Sequence, residues 1–157
     1  MDGQRCVVIG VGNQYRRDDG FGPAVVARLE VLRQSDPALA AVELRACDGE
    51  PTRLLDLWTG TDLAVVVDAV RDGNDHGGHR YELVLDEVAE LADARSASSH
   101  GVSLGSTVEL GRALGRLPRR LVVLAVGAIE FGFGAGLSPE VAAEVDPVVA
   151  RVRELVG

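Results

Sequence analysis

The chain has 157 residues, nearly half of them apolar and a quarter charged. That is enough for one globular domain with its own core, needing no metal or disulfide staples. A formal net charge of −8 argues against a nucleic-acid or anionic-membrane partner, since both would repel it, and leaves open a protein partner with a basic face.

The two cysteines, Cys6 and Cys47, are too few and too far apart for a disulfide scaffold or a cysteine-type zinc site, and read as core thiols of a cytosolic protein. The first residues run straight into a strand without signal-peptide anatomy, and no apolar run approaches the length of a membrane span. A cytoplasmic protein is expected.

Residues 6–11 are the first of four short, Val-rich runs that are apolar on consecutive positions, the pattern of parallel strands covered on both faces. Residues 21–34 place Val25, Val26, Leu29 and Leu32 at helical spacing, with Pro23 in the first turn. A second strand is expected over 42–46, a short helix over 52–58, and a third strand over 63–70. Residues 81–85 alternate polar and apolar side chains and suit an edge strand. A helix over 103–117 is ended by Pro118, and the fourth buried strand covers 121–126. The last helix, over 139–156, opens on Ser138 as N-cap with Pro139 and Glu140 in its first turn; Pro147 should kink or divide it.

Strand alternating with helix predicts an α/β fold: a single-domain three-layer sandwich over residues 1–157, with a central, mostly parallel sheet of about five strands flanked by helices. Ligands bind such sheets beyond the C-terminal ends of the strands, so polar residues just after a strand carry the most weight.

The first such place is the loop from Gly10-Val11-Gly12-Asn13 to Asp18-Asp19-Gly20-Phe21-Gly22-Pro23. A dinucleotide-binding loop wants a third glycine where Tyr15 stands. Asp18 and Asp19 would also occupy the helix start where pyrophosphate belongs, and their charge would repel it. No Gly-Lys-Ser/Thr is present after it, so a phosphate-binding P-loop is excluded as well. One of the two acids is expected to cap the helix; two in a row exceed what a cap needs.

Asp68 is a single acid closing the apolar run Leu63-Ala64-Val65-Val66-Val67, where a carboxylate is costly unless it has partners or a task. A turn cap is the plain alternative. His100, in Ser98-Ser99-His100-Gly101-Val102-Ser103, precedes a helix whose positive end disfavours imidazolium, leaving a neutral ring able to ligate a metal; an ordinary loop histidine is the alternative. His76 and His79 sit in a glycine-rich stretch that reads as a mobile loop, not a metal cluster. Two carboxylates and an imidazole would suit a borderline divalent ion. Their spacing is too long to prove that Asp19, Asp68 and His100 meet.

The run from Gly10 to Gly22 resembles the N-terminal signature of the [NiFe]-hydrogenase maturation endopeptidases. Cys47-Asp48-Gly49, Val65-Val66-Val67-Asp68-Ala69, Ser99-His100-Gly101-Val102-Ser103-Leu104 and Gly136-Leu137-Ser138-Pro139-Glu140 come after it in order, so the resemblance spans essentially the whole chain. It implies that the acids at 19 and 68 and the imidazole at 100 are both the catalytic group and the metal contacts. The metal so implied is nickel, carried in by a hydrogenase large-subunit precursor whose C-terminal extension would then be removed; other divalent ions would be able to occupy the site in vitro. The family's first ligand is often Glu, so Asp19 would draw the metal closer to the loop. Where family members commonly carry a second glycine after Asp48-Gly49, this chain has Glu50-Pro51, which implies altered local geometry or partner choice. No serine or cysteine stands out as a nucleophile. Nickel would position and polarise the scissile peptide or a water, or a metal-free Asp19 or Asp68 would act as general base. Transient engagement of one precursor implies a monomer. The rival functions are a non-catalytic metal carrier or chaperone, and a hydrolase such as peptidyl-tRNA hydrolase, against which the acidic balance counts.

Overall fold

The computed structural model describes residues 4–73, 76–91 and 104–157. Five strands form one sheet in the order β2-β1-β3-β5-β4. They are β1 (Cys6–Val11), β2 (Glu43–Cys47), β3 (Leu63–Val70), β4 (Arg80–Val84) and β5 (Arg120–Gly127). The first three and β5 run parallel, and β4 joins β5 antiparallel at the edge. The expected α/β sandwich with a mostly parallel five-stranded sheet is therefore what the chain forms, and the alternating run near residue 81 is the edge strand.

The helices are α1 (Phe21–Arg33), α2 (Pro51–Trp58), α3 (Leu85–Leu91), α4 (Leu104–Leu114), α5 (Pro139–Ala142) and α6 (Val145–Val156). Each face of the sheet has its own apolar layer. On one, Val8, Val65, Val67, Leu124 and Val126 pack against Phe21, Val25 and Leu29 of α1 and Val149 and Val152 of α6. On the other, Val7, Ile9, Val66 and Val123 pack against Leu54, Leu55 and Trp58 of α2 and Val108 of α4. Consecutive Val residues in one strand thus serve opposite layers, which is why these runs are apolar at every position. Among the described residues no helix is long and apolar enough to cross a membrane.

Two helices differ from expectation. Residues 85–91 form α3, so Leu85 opens a helix instead of ending β4; Glu87 reaches back and accepts the Val84 N–H at 2.9 Å, as a first-turn acid does. The α4 helix stops at Leu114, before Pro118, because Gly115 adopts φ +67°. The N–H of Arg116 then turns back to the Gly111 carbonyl at 2.7 Å, a left-handed glycine stop. The C-terminal helix is divided, as Pro147 required. Having no N–H, Pro147 has nothing to donate to the carbonyl of residue 143, so the break falls at residues 143–144 and Pro147 lies in the first turn of α6.

The candidate active site at the strand ends

The loop after β1 is shaped by close backbone contacts. Gly22, in the first turn of α1, lies so near the strand ends that an added Cβ would stand 2.5 Å from the Val11 N and 2.6 Å from the Val67 O. The helix start is thereby pressed against the ends of β1 and β3. Gly12, at φ +141°, turns the chain under Asp19, whose carbonyl would be 1.8 Å from any Cβ placed there. The glycines of the motif let the acid-bearing turn lie flat on the sheet edge.

That turn is a short 3-10 helix, Arg17–Gly20, and its two acids do different work. Neither caps α1: its N-cap is Gly20 and no side chain bonds to it, which corrects the expected cap. Asp18 is wholly buried and binds the loop after β5. Its Oδ1 accepts the Ser138 N–H at 2.7 Å, and its Oδ2 accepts the Ser138 hydroxyl at 2.9 Å and the N–H groups of Glu130 and Ile129 at 3.0 and 3.3 Å. Ser138, expected to cap the last helix, has its hydroxyl turned to Asp18 and makes no side-chain cap. Asp19, also buried, accepts the Asn13 N–H on Oδ2 at 3.0 Å. That bond holds its carboxylate over the end of β1.

Asp68 is buried within β3, and its Oδ1 accepts the N–H of Ala69 at 2.8 Å. Register places it in a row across the sheet. Cys47 pairs with Val11, Asp68 lies one step past the Gly10–Val67 pair and opposite Ala125, and Ala125 pairs with Tyr81. Paired residues share a face, and Val11, Cys47 and Ala125 belong to the layer under α2 and α4. Asp68 therefore faces that layer. Burial pushes the Cys47 thiol up; a hydrogen bond from the backbone of Gly49 opposes this, and the carboxylates of Asp48 and Asp68 add to it. The small Ala125 stands between Asp68 and Tyr81, whose hydroxyl donates to Asp72 Oδ2 at 2.8 Å.

His100 lies outside the described residues, as do residues 98–103 of its motif. The helix next in the chain, α4, starts at Leu104, and the turn after its far end is fixed at the N-terminal ends of the strands. There Trp58 Nε1 donates to the Arg116 carbonyl at 2.9 Å, and Arg119 N–H donates to the Thr61 carbonyl at 3.0 Å, just before β3 begins. The start of α4 is thus directed toward the C-terminal ends of the strands, on the face that Asp68 occupies. Among the described residues no three His, Cys, Asp or Glu side chains are gathered to hold a metal ion. The structure therefore brings Asp19 and Asp68 to adjacent strand ends. His79 takes another place, its ring tilted against that of Tyr81 with centroids 4.9 Å apart. Cys6 and Cys47 are free thiols.

At the departure from the family pattern, Glu50 is the N-cap of α2 and accepts the N–H groups of Thr52 and Arg53, with Pro51 opening the helix. The hydrogen bond from the Thr52 hydroxyl, with those from the Arg53 and Thr52 backbone, holds the Glu50 carboxyl below its usual range. Residue 50 thus starts a helix, a local role that Ser/Thr/Asp/Asn more often fill.

Of the loop at 128–138, the sequence motifs reach only residues 136–138, although residues 128–135 border the acids as well. Gly134 N–H donates to Tyr15 O, Arg17 N–H to Gly134 O and Asp18 N–H to Glu130 O, all at 2.8–2.9 Å. Arg17, the one non-glycine residue with positive φ among those described (φ 52°), is held there by these bonds and by its Nε on the Gly136 carbonyl at 3.2 Å. The available signal was two phenylalanines, Phe131 and Phe133, in a glycine-rich stretch without strand or helix periodicity.

A family model described as hydrogenase maturation protease matches residues 25–154. The hydrogenase expression/formation protein HupD of Thiocapsa roseopersicina is 28% identical over 149 residues, which are 94% of this chain and 66% of that protein, so the chain spans just under two thirds of that relative. The hydrogenase 2 maturation protease of Escherichia coli K12 is 26% identical, with 94% and 88% covered. The solved structure of the hydrogenase maturating endopeptidase HybD from E. coli superposes with a TM-score of 0.76 at 27% identity, over 95% of this chain and 90% of that one. With its mostly parallel sheet, its glycine-tightened acid turn and a match running over most of its length, the chain belongs to the hydrogenase maturation protease family.

Proposed function

We propose that this protein is an endopeptidase that removes the C-terminal extension of a [NiFe]-hydrogenase large-subunit precursor after nickel insertion, reading the nickel through Asp19, Asp68 and His100. The observation that carries the reading is the placement of two buried carboxylates, Asp19 and Asp68, at the ends of the neighbouring strands β1 and β3. The helix just after His100 is directed to that same edge.

Nickel here is cargo of the substrate, and the donor set fits it: two carboxylates and an imidazole suit a borderline ion and leave positions for the thiolates that bring it. Bound in this way, the nickel would supply a Lewis acid beside the scissile peptide. The chain's own residues fix the geometry. Asn13 N–H orients Asp19 and Ala69 N–H orients Asp68, so neither carboxylate has to reorganise when the substrate arrives. Hydrolysis adds water across the C–N bond, hydroxyl to the carbonyl carbon and proton to the leaving amine, with a carboxylate of the pair positioned to take the proton first. The encounter belongs in the cytoplasm, between one monomer and one precursor.

The test is to incubate the protein with nickel-loaded and nickel-free precursor and weigh the products. Loss of a C-terminal peptide only in the loaded arm is expected. An unchanged mass in both arms refutes the reading and leaves a non-catalytic carrier in its place.

A further inference from the structure

A ladder of alternating guanidinium and phenyl groups leads away from the strand ends. Arg71, three residues past Asp68, holds its guanidinium 4.4 Å from the centre of the Phe131 ring. The Phe131 carbonyl accepts Arg16 Nε at 3.1 Å, and the Arg16 guanidinium lies 5.7 Å from the centre of the Phe133 ring. Phe133 is 91% exposed and Tyr15, on the loop bonded to it, is 65% exposed. The chain has only three phenylalanines and two tyrosines; Phe131 is buried and belongs to the core, while Phe133 and Tyr15 stand in water, where they add nothing to it. Exposed apolar clusters of this kind mark contact surfaces.

The charges point the same way. Arg28, Arg80, Arg116 and Arg151 each pair with a carboxylate. Among the described residues Arg16, Arg17 and Arg71 pair with none; their bonds go to backbone carbonyls or lie over rings. The one acid of the loop is the exposed Glu130. The neighbouring carboxylates are already engaged, Asp18 and Asp19 on backbone N–H groups and Asp72 on the Tyr81 hydroxyl, so the exposed Arg71 and half-buried Arg16 keep guanidinium N–H groups to offer an acidic ligand. Guanidiniums set against aromatic faces are weakly hydrated and present paired N–H groups to carboxylates.

We propose that this ladder docks the C-terminal tail of the precursor, as an extended segment that places an apolar side chain against Phe133 and Tyr15 and its carboxylates, including the chain-terminal one, on Arg16 and Arg71. The proposal rests on the endopeptidase reading above. An enzyme that cuts near a C-terminus has to hold a segment that ends in a carboxylate. The ladder starts three residues from Asp68, within reach of a few extended residues at roughly 3.3 Å each.

The test is an amide-resolved NMR titration of the full chain with two peptides, acetyl-Leu-Phe-Glu-Glu with a free C-terminus and acetyl-Leu-Phe-Lys-Lys-amide. The acidic peptide should give saturable shifts at Phe131, Gly132, Phe133 and Gly134, at least about tenfold tighter than the basic one, and the Arg71→Glu/Phe133→Ser variant should lose them. Equal binding of both peptides, or none at these amides, overturns the site. In processing assays the same variant should raise KM for nickel-loaded precursor about tenfold, with a smaller effect on kcat. Peptide binding with unchanged KM overturns the tail as the occupant. A wild-type protein that leaves the precursor uncut refutes the endopeptidase reading and the tail with it, while the titration still decides the acidic-peptide site.

Discussion

Replacing Asp18 tests whether this acid, next to the candidate site residue Asp19, is the tie between two loops. Its carboxylate receives four hydrogen bonds. The two from Ser138 are buried, and the N–H groups of Ile129 and Glu130 lie nearer the surface. In Asp18→Ala the buried Ser138 pair loses its acceptor at about 1–3 kcal/mol per group, and water partly compensates the two outer N–H groups, for a total of about 3–5 kcal/mol. In Asp18→Asn the amide oxygen can keep one set of donors while its NH2 meets another donor, orphaning at least one N–H at about 1–3 kcal/mol. Native domains hold only about 5–15 kcal/mol in all. With a urea m-value of about 2 kcal/mol/M, the alanine variant should lower the unfolding midpoint by about 2 M, and the asparagine variant by about half as much. Limited proteolysis should show new cleavage within residues 129–137 in both. An alanine variant within about 0.5 kcal/mol of wild type, or one no worse than asparagine, would refute the assignment.

Further substitutions probe the other links. His100→Ala and Asp68→Asn should each cut precursor processing at least about a hundredfold while unfolding midpoints stay near wild type; processing at the wild-type rate by His100→Ala would sink its assignment as a metal contact. Gly22→Ala puts a Cβ 2.5–2.6 Å from three backbone atoms of β1 and β3, and should destabilise by about 3 kcal/mol or more, because no flexible side chain is available to yield; a wild-type melting curve would contradict the packing. Arg151 donates two bonds of 2.8 Å to Glu82, and these hold the Glu82 carboxyl below its ordinary 4.5. A depressed acid contributes stability above its unfolded pKa and loses it as pH falls through the folded one. Arg151→Ala should therefore destabilise modestly at pH 7, the pair being well exposed, and the difference from wild type should fade below about pH 4. A difference that persists unchanged at pH 2.5 would assign the effect to packing of the arginine stem.

Much of the fold was legible in the sequence, for a definite reason. A strand buried on both faces must be apolar at consecutive positions, and residues 6–11, 63–67 and 121–126 advertise that directly. Pro147 is equally explicit, because a missing N–H breaks a helix whatever surrounds it. The same holds for Asp68: a lone acid at the end of a buried strand is visible before any contact is known. The α3 helix was not legible, since its seven residues are too short for periodicity to separate from the preceding strand.

The division of labour between Asp18 and Asp19 was decided only by tertiary structure. Both acids are adjacent, buried and preceded by the same glycine motif, and local rules make either one a cap. What separates them lies about 110–120 residues away, where the backbone of Ile129 and Glu130 and both polar groups of Ser138 converge on Asp18 alone. The Arg71, Phe131, Arg16 and Phe133 ladder is of the same kind, drawn from three separate loops. Sequence determines which side chains the chain can offer and where regular elements begin and end. Long-range packing decides which neighbours each side chain meets, because hydrogen bonds and ring contacts depend on distances that no local pattern encodes.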